Sequence, residues 1–302
     1  MNHLLVLPLL LPLAGGVLAL LARGLPAERA IGAAVSVGQL AVAVALCLLA
    51  DGQGYATYQV GGCPLPCGLT LVLARLAPPL LLRSALLAVL VPANGLGGGV
   101  PRGRHFHALL QFQLLGVNGA FLTGDRFNLF ASTRVLLIAS YALLMHGARP
   151  DRTVATIHVA VLNLLGSTLF LLAVGCLYAA AGSLNFADLA ERAAELPPDR
   201  EGLWRAGAWL LVLVFALKAA LLPLGFWLPS AYAAADGTVA ALFAILTKVG
   251  VVAILRTGTL LFGDLGLEPL LYGLALVTLA LGAVGMLAAR RLAQLAAYAV
   301  VL

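Results

Sequence analysis

Charged residues are scarce in this sequence. Only 10% of its 302 residues are Asp, Glu, Lys or Arg, 62% are hydrophobic, and the mean hydropathy is +1.05. Soluble globular domains carry about 25% charged residues, so this composition excludes a soluble fold. The unit of structure is instead an apolar run of about 20 residues, the length with which a helix crosses a bilayer. The sequence therefore predicts an all-α, polytopic membrane protein.

Cysteine is equally scarce, with four residues in the chain. Four cysteines are too few for a disulfide framework, and they lack the spacing of an iron–sulfur cluster. Cys63 and Cys67 are close enough for a disulfide in their loop, but as a metal-binding pair they lack a second half. No haem-attachment motif and no glycine-rich nucleotide loop is present, which disfavours a redox enzyme. We expect no metal site and no cofactor.

The basic residues do not form a stripe of the kind that binds nucleic acid. They give a net charge of +6 but are scattered singly or in pairs. Arginine pairs fall on alternate loops between the apolar runs, at positions 23 and 29, 102 and 104, 149 and 152, and 290 and 291. Because cytoplasmic loops carry an excess of basic residues, the pattern predicts an N-terminus outside the membrane.

About nine apolar runs are long enough to cross a membrane. A tenth begins at Gln294 and is cut off at Leu302. The third run is the least regular, because Arg75, Pro78 and Pro79 interrupt it. The nine runs lie at residues 4–22, 30–50, 69–92, 107–123, 127–146, 154–181, 204–228, 238–256 and 269–289.

Lysine occurs only twice, as Lys218 and Lys248, and both lie inside apolar runs. The other 16 basic residues are arginines. Arginine does not deprotonate in proteins, whereas a desolvated lysine can become neutral and so can carry a proton. The alternative is that each lysine is merely locked to a carboxylate, but all twelve carboxylates lie in loops or near helix ends. The two lysines therefore indicate a proton relay.

Two prolines follow the first lysine. Pro223 removes the amide that would bond the carbonyl of Ala219, and Pro229 does the same for the carbonyl of Gly225. Non-helical backbone at membrane depth is tolerated only where protein buries it or a wet cavity adjoins it. We therefore predict a helix break at Pro223 and Pro229, with a hydrated site beside Lys218.

The fourth run carries the amides Gln111, Gln113 and Asn118. Polar side chains on membrane helices usually form hydrogen bonds to neighbouring helices. Packing is the simpler interpretation here, and wetting of a proton path is the alternative. His158 in the sixth run is a candidate accessory to the relay.

Three segments carry a family likeness: residues 102–146, the run NLLGSTLFLLAVGCLYAAAGSLNFADLA from Asn163, and residues 217–256. They closely resemble the D subunit of the multisubunit (Mrp-type) Na+/H+ antiporter. That protein is itself similar to the antiporter-like, proton-pumping membrane subunits of respiratory complex I. The resemblance covers roughly residues 100–300 and is weaker before them.

The resemblance implies about fourteen helices with two inverted five-helix repeats, each with a discontinuous helix and a key lysine. This chain would then hold N-terminal helices in residues 1–100, one repeat in 101–256 and the truncated start of a second in 257–302. The resemblance further implies that Lys218 is the reversible proton carrier and Lys248 the next relay point.

Arg134 and Gly225 depart from the family pattern. Arg134 stands where the family has a glutamate that pairs with the broken-helix lysine, so the charge is reversed. If Arg134 lay about 7 Å from Lys218, repulsion of roughly 2 kcal/mol would disfavour the protonated lysine. Asp125 or a partner subunit would then have to supply a carboxylate. Gly225 stands where the family usually has a histidine, which removes one relay group.

We expect a non-enzymatic membrane subunit of a multisubunit monovalent cation (Na+)/proton antiporter in the bacterial inner membrane. Its partners would be other membrane subunits of the complex and the lipid bilayer, with protons and Na+ as cargo. One alternative is a transport-inactive structural or assembly paralogue, and another is a proton-pumping subunit of a complex I-like NADH–quinone oxidoreductase. A carrier for an organic solute and sequence errors near residues 75–100 and 131–134 are further readings.

Overall fold

A computed structural model of the chain describes residues 3–62, 69–94, 103–146, 150–261 and 266–301. Cys63 and Cys67, considered above as a disulfide, lie outside these residues. The strands of the described part are β1 (Ala56–Gln59) and β2 (Thr70–Leu73). Its helices are α1 (Leu7–Leu21), α2 (Leu25–Gln53), α3 (Ala77–Asn94), α4 (Phe106–Leu122), α5 (Arg126–Met145), α6 (Pro150–Ala181), α7 (Phe186–Ala193), α8 (Pro198–Ala219), α9 (Trp227–Ala234), α10 (Gly237–Phe243), α11 (Leu246–Leu261), α12 (Glu268–Ala288) and α13 (Leu292–Val301).

The chain divides into two compact units, Met1–Ala148 and Arg149–Leu302. The first holds α1 to α5 and the two strands, and the second holds α6 to α13. The division falls inside the segment 101–256 that the resemblance assigns to one repeat. The repeat boundaries stay a prediction.

The predicted spans agree with the helices in number and order. Within the described residues, six helical segments are long and apolar enough to cross a membrane, with α10 and α11 counted as one, and four shorter helices are also apolar. In chain order these ten segments correspond to the nine predicted spans and the tenth run. The prediction of an all-α, polytopic membrane protein is confirmed.

The start of the third span was predicted wrongly. Residues 70–73 form β2, which pairs antiparallel with β1. Both strands contain residues that favour strands, in the runs TLVL and ATYQ. The helix begins only at Ala77, so that Pro78 and Pro79 lie in its first turn, where an amide has no helical partner to lose.

A short amphipathic helix, α7, lies between the sixth and seventh predicted runs. The side chain of Asn185 caps it by accepting hydrogen bonds from the amides of its first turn. One turn later, Arg192 Nε donates to Asp188 Oδ1 over 3.0 Å. Hydrogen bonding from Ser183, and then the contact with Arg192, lowers the pKa of the Asp188 carboxyl below its ordinary value.

A proline inside α1 leaves a backbone carbonyl that side chains of α2 and α4 bond. Pro12 has no amide, so the carbonyl of Pro8 loses its helical partner. Side chains from two other helices replace that partner: Asn118 Nδ2 donates to the Pro8 carbonyl over 2.9 Å and Gln39 Nε2 over 3.2 Å. Asn118 Nδ2 also donates to Gln39 Oε1 at 3.1 Å. All four residues are buried, and these bonds join α1, α2 and α4 directly.

The interhelical hydrogen bonds predicted for the fourth span are confirmed for Gln111 as well as for Asn118. Gln111 Nε2 donates to Ser36 Oγ over 3.1 Å and to the Gly32 carbonyl over 3.3 Å, both on α2. Gln113 is also buried. These contacts support the packing interpretation of the amides rather than the alternative of a wet proton path.

A buried carboxylate caps α4. Glu28 in the first turn of α2 is only 2% exposed. Its two carboxylate oxygens accept hydrogen bonds from the backbone amides of His105 and His107, each over 3.0 Å. The amides at a helix N-terminus have no helical acceptor and carry partial positive charge, so a carboxylate is well matched to them. Glu28 lies near a helix end, as predicted, and its burial was not foreseen.

In the second unit, α8 packs against α6 and α11, α12 pairs with α13, and α13 packs against α9. The seventh predicted span, residues 204–228, corresponds to α8 but differs from it at both ends. The helix starts earlier, at Pro198, and stops at Ala219. The segment between Ala219 and Trp227 is the helix break.

Candidate proton-relay site at a helix break

The break begins with a left-handed residue. Ala220 has φ 57° and ψ 35°, and it follows the last residue of α8. The amide of Leu221 donates to the Ala216 carbonyl over 2.9 Å, and the amide of Ala220 donates to the Leu217 carbonyl over 3.3 Å. This pairing is the Schellman motif, which normally has glycine in the left-handed position because a Cβ is unfavourable there.

Side chains of α9 and α12 form hydrogen bonds to backbone atoms in the break and in the last turn of α8. The indole Nε1 of Trp227 on α9 donates to the Leu217 carbonyl over 3.2 Å. The amide of Leu222 donates to the hydroxyl of Thr278 on α12 over 3.0 Å. The sequence predicts that non-helical backbone here is either buried by protein or beside a wet cavity. For these two backbone groups the hydrogen-bond partner is protein.

The two prolines do not play equal parts. Pro223 lies within the break, after a cis Leu222–Pro223 peptide bond. Pro229 was also predicted to break a helix, but it lies in the first turn of α9. An amide there would have no helical acceptor, so proline is tolerated. The Gly225 carbonyl, which we expected Pro229 to leave open, accepts a hydrogen bond from the amide of Leu228 over 3.2 Å.

Lys218 lies in the last turn of α8 and is half-buried. Its backbone packs directly on α11: a Cβ placed on Gly250 would lie 2.8 Å from the carbonyl carbon of Lys218 and 2.5 Å from the nitrogen of Ala219. Lys248 precedes this glycine by two residues and is also half-buried. Its Nζ donates to the Val300 carbonyl on α13 over 3.2 Å. The fold therefore places the turn that bears Lys218 against the turn of α11 that bears Lys248.

The other two candidate residues lie on α6 and α5. His158 is on an exposed face of α6, beside the exposed Ile157 and Val161. Arg134 lies on α5, in the first unit, with its guanidinium 5.1 Å from the centre of the Phe130 ring.

Asp125, considered as a substitute carboxylate, is the N-cap of α5. Its side chain accepts a hydrogen bond from the amide of Asn128 over 2.9 Å. The carboxylate is 8% exposed, so it is engaged in the cap rather than open to solvent. Capping of this kind stabilises the start of the helix.

Gly225 is required by the shape of the break. A Cβ at this position would overlap the carbonyl group of Ala220. Sequence reasoning treated this glycine as the loss of a relay histidine. In this backbone conformation a histidine would have no room, so the glycine belongs to the geometry of the turn.

A cavity of about 540 Å³ adjoins the break. Residues of the break, α9, α12 and α13 line it, and they include Gly225, Ser230, Gly282, Gln294 and Tyr298. The lining combines apolar side chains with a few polar ones. A cavity of this size beside the break has room for water molecules.

Sequence reasoning missed Thr278, Trp227 and Gly250. Each contributes through a partner distant in the chain, from 10 residues for Trp227 to 56 for Thr278. A threonine in an otherwise aliphatic span was the one available signal for Thr278, because such hydroxyls usually bond to backbone or to a neighbouring helix.

Comparison with known proteins identifies the family. Residues 124–301 match the family model described as NADH:quinone oxidoreductase/Mrp antiporter, TM, which is more than half of the chain. The chain belongs to this family. The region that matches the NADH:quinone oxidoreductase/Mrp antiporter family begins just before α5 and contains the break and both lysines.

Individual relatives match along almost the whole chain. The D subunit of a probable K(+)/H(+) antiporter of Rhizobium meliloti is 41% identical, over 99% of this chain and 58% of the relative. The D subunit of the Na(+)/H(+) antiporter of Bacillus subtilis is 36% identical, over 100% of this chain and 62% of the relative. A chain in the structure of the Mrp complex from Dietzia sp. has a TM-score of 0.91 and 28% identity, over 100% of this chain and 57% of that one. The chain thus spans about three fifths of the length of these proteins.

Proposed function

We propose that this chain is a membrane subunit of a multisubunit monovalent cation/proton antiporter, and that it moves protons along Lys218 and Lys248. The observation that carries the proposal is the contact at Gly250, where the backbone of Lys218 packs two residues from Lys248. These are the only lysines of the sequence. A half-buried lysine can exchange a proton, whereas arginine cannot. Relatives named as D subunits of Na(+)/H(+) and K(+)/H(+) antiporters support the proposal.

Each residue has a role in this proposal. Lys218 is the reversible proton carrier, and Lys248 is the next relay point. Arg134 is the altered partner, which opposes protonation of Lys218 through like charge, and His158 is an accessory. The chain works with other membrane subunits in the bacterial inner membrane, with its N-terminus outside, and exchanges protons for Na+.

The test is cation-driven pH-gradient change in everted vesicles that contain the chain together with its partner subunits. Lys218→Ala and Lys248→Ala are expected to abolish antiport while the complex still assembles. Lys218→Arg is the matched variant: it keeps a positive charge but does not release a proton, so it is also expected to be inactive. Full antiport in either alanine variant, with assembly confirmed, would overturn the relay.

A second candidate function follows from Arg134. A cation at that position favours the interpretation that the chain is a structural or assembly subunit that has lost transport. The variant Arg134→Glu separates the two functions in the same vesicles. If the native chain is inactive and only Arg134→Glu transports, the chain is a structural subunit with an intact fold. If the native chain transports, Lys218 works without a glutamate at position 134.

The third candidate is a proton-pumping subunit of a complex I-like NADH–quinone oxidoreductase, which the family description includes. The same vesicles distinguish it. Proton movement that depends on NADH oxidation, and not on a cation gradient, would favour this candidate over the antiporter.

A further inference from the structure

Helix α12 pairs with α13 and has one buried turn, which begins at Thr278. Thr278 and Gly282 are its buried residues. Side chains on its other faces are exposed, among them Tyr272 at 70%, Leu276 at 66% and Val284 at 59%. In a membrane protein such faces contact lipid or other helices. The turn from Thr278 to Gly282 is where α12 is buried and where it contacts the break.

The hydroxyl of Thr278 has both of its hydrogen-bonding functions in use. It donates to the Leu274 carbonyl of its own helix over 2.6 Å and accepts the amide of Leu222 over 3.0 Å. The bond to Leu274 fixes the rotation of the hydroxyl, so its lone pair points at the break. Thr278 is 5% exposed, and loss of its hydroxyl would remove the protein acceptor of the half-buried Leu222 amide.

The Leu222 amide is closely linked to Lys218. Leu221, the residue before it, is bonded back to the Ala216 carbonyl, which spans the last turn of α8. On its other side, the same turn rests on Gly250 of α11. The end of α8 is therefore held between a glycine contact on α11 and a hydroxyl contact, through the break, on α12.

We propose that Thr278 is a positioning residue for Lys218. Through its bond to the Leu222 amide, α12 sets the conformation of the break and with it the position of the lysine at the end of α8. A displacement of α12 would then change the rate and the pH dependence of proton exchange at Lys218. This inference rests on the proposed function, because it assumes that Lys218 exchanges protons.

The experiment compares four forms of the chain in its complex: native, Thr278→Val, Thr278→Ser and Thr259→Val. Valine keeps the shape of threonine without the hydroxyl, and serine keeps the hydroxyl. Thr259 on α11 is the matched control, because its exposed hydroxyl donates over 2.8 Å to Leu255 of its own helix. Hydrogen–deuterium exchange of a peptide that includes Leu222 reports the bond directly. Antiport measured against pH in everted vesicles reports the positioning.

We expect Thr278→Val to speed exchange at the break, to shift the pH of half-maximal antiport and to slow antiport by about threefold to tenfold, the effect of one net hydrogen bond. Thr278→Ser and Thr259→Val should match the native chain in both measurements. Unchanged exchange in Thr278→Val would overturn the bond. Faster exchange with an unchanged pH profile would overturn the positioning role.

A Lys218→Ala arm separates this inference from the proposed function. If Lys218→Ala transports fully, the proposed function fails, and the role of Thr278 fails with it. If Lys218→Ala is inactive and Thr278→Val behaves as the native chain does, only the positioning role fails. Should Thr278→Val not assemble, Thr278→Ala takes its place, and the same comparisons with Thr278→Ser apply.

Discussion

The indole nitrogen of Trp227 lies 3.2 Å from the carbonyl oxygen of Leu217 and joins the two halves of the broken helix. Leu217 is in the last turn of α8, directly before Lys218, and Trp227 is the first residue of α9. The bond therefore links the end of α8 directly to the start of α9 across the break. It is also one of the contacts on which the position of Lys218 depends.

Replacing Trp227 by Phe should destabilise the protein by about 1 kcal/mol, because the variant keeps an aromatic ring but loses the donor. Thermal unfolding of the detergent-solubilised protein measures the effect as a lower midpoint. Trp209→Phe is the control, since Trp209 on α8 is 46% exposed. Equal midpoints for the two variants would show that the indole bond contributes nothing.

Ala220→Gly should stabilise the protein by about 1 kcal/mol. Alanine at φ 57° carries the strain of the left-handed region, and glycine does not. Ala206→Gly is the matched control, since Ala206 is an exposed residue within α8 and glycine there should cost about 1 kcal/mol. The two substitutions are chemically identical and should move the unfolding midpoint in opposite directions. A lower midpoint for Ala220→Gly would contradict the left-handed cap.

Gly225→Ala should cost about 1–3 kcal/mol, because the added methyl group meets the Ala220 carbonyl and forces the break to shift. Gly237→Ala provides the comparison, since a Cβ there has nothing within 4 Å. The unfolding midpoints of both variants are measured together. If Gly225→Ala is as mild as Gly237→Ala, the turn is not as tight as the structure shows, and a histidine would be sterically acceptable there.

Asn118→Leu should cost about 1–3 kcal/mol, because it leaves the buried Pro8 carbonyl with fewer donors. The sharper measurement is rescue by Pro12→Ala, which returns a helical amide to that carbonyl. We expect Pro12→Ala to recover part of the loss in the Asn118→Leu background and to gain less in the native background. Additive effects of the two substitutions would contradict a shared acceptor.

Glu28→Gln should destabilise the first unit by about 1–3 kcal/mol. Glutamine offers one acceptor oxygen where the native carboxylate offers two, so one of the amides of His105 and His107 loses its partner. Glu191→Gln serves as the control, because Glu191 is exposed on α7. The readout is again the unfolding midpoint. A Glu28→Gln variant as stable as Glu191→Gln would show that the cap is dispensable.

The length of apolar runs was enough to predict the ten helical segments, because each must supply its own backbone bonds across about 30 Å of hydrocarbon. The antiparallel pair of β1 and β2 was missed because the prediction relied on the length of apolar runs. Residues 69–76 are as apolar as a helix start, and the strand preference of TLVL carries little weight beside hydropathy. Run length also did not place the end of the seventh helix, which stops at Ala219 where the Schellman motif closes it.

The site was predicted less completely than the fold. Lys218, Lys248 and Pro223 are visible in the sequence because an ionisable residue or a proline is rare in an apolar span. The partners of the break are not visible, because Thr278 is joined to Leu222 only by tertiary packing across 56 residues. The prediction for Pro229 was wrong because a proline breaks a helix in its interior but is tolerated in its first turn. The sequence does not show that α9 begins at Trp227.

The bond between Pro8 and Asn118 also bears on how the nascent chain assembles. The Pro8 carbonyl and its donor on α4 are 110 residues apart, whereas Gln39 on α2 is only 31 residues away. Because α2 precedes α4 in the chain, we expect Gln39 to be the first of the two donors to reach the open Pro8 carbonyl during synthesis. We therefore expect α1 to pair first with α2 and to reach its final position only when α4 is in place.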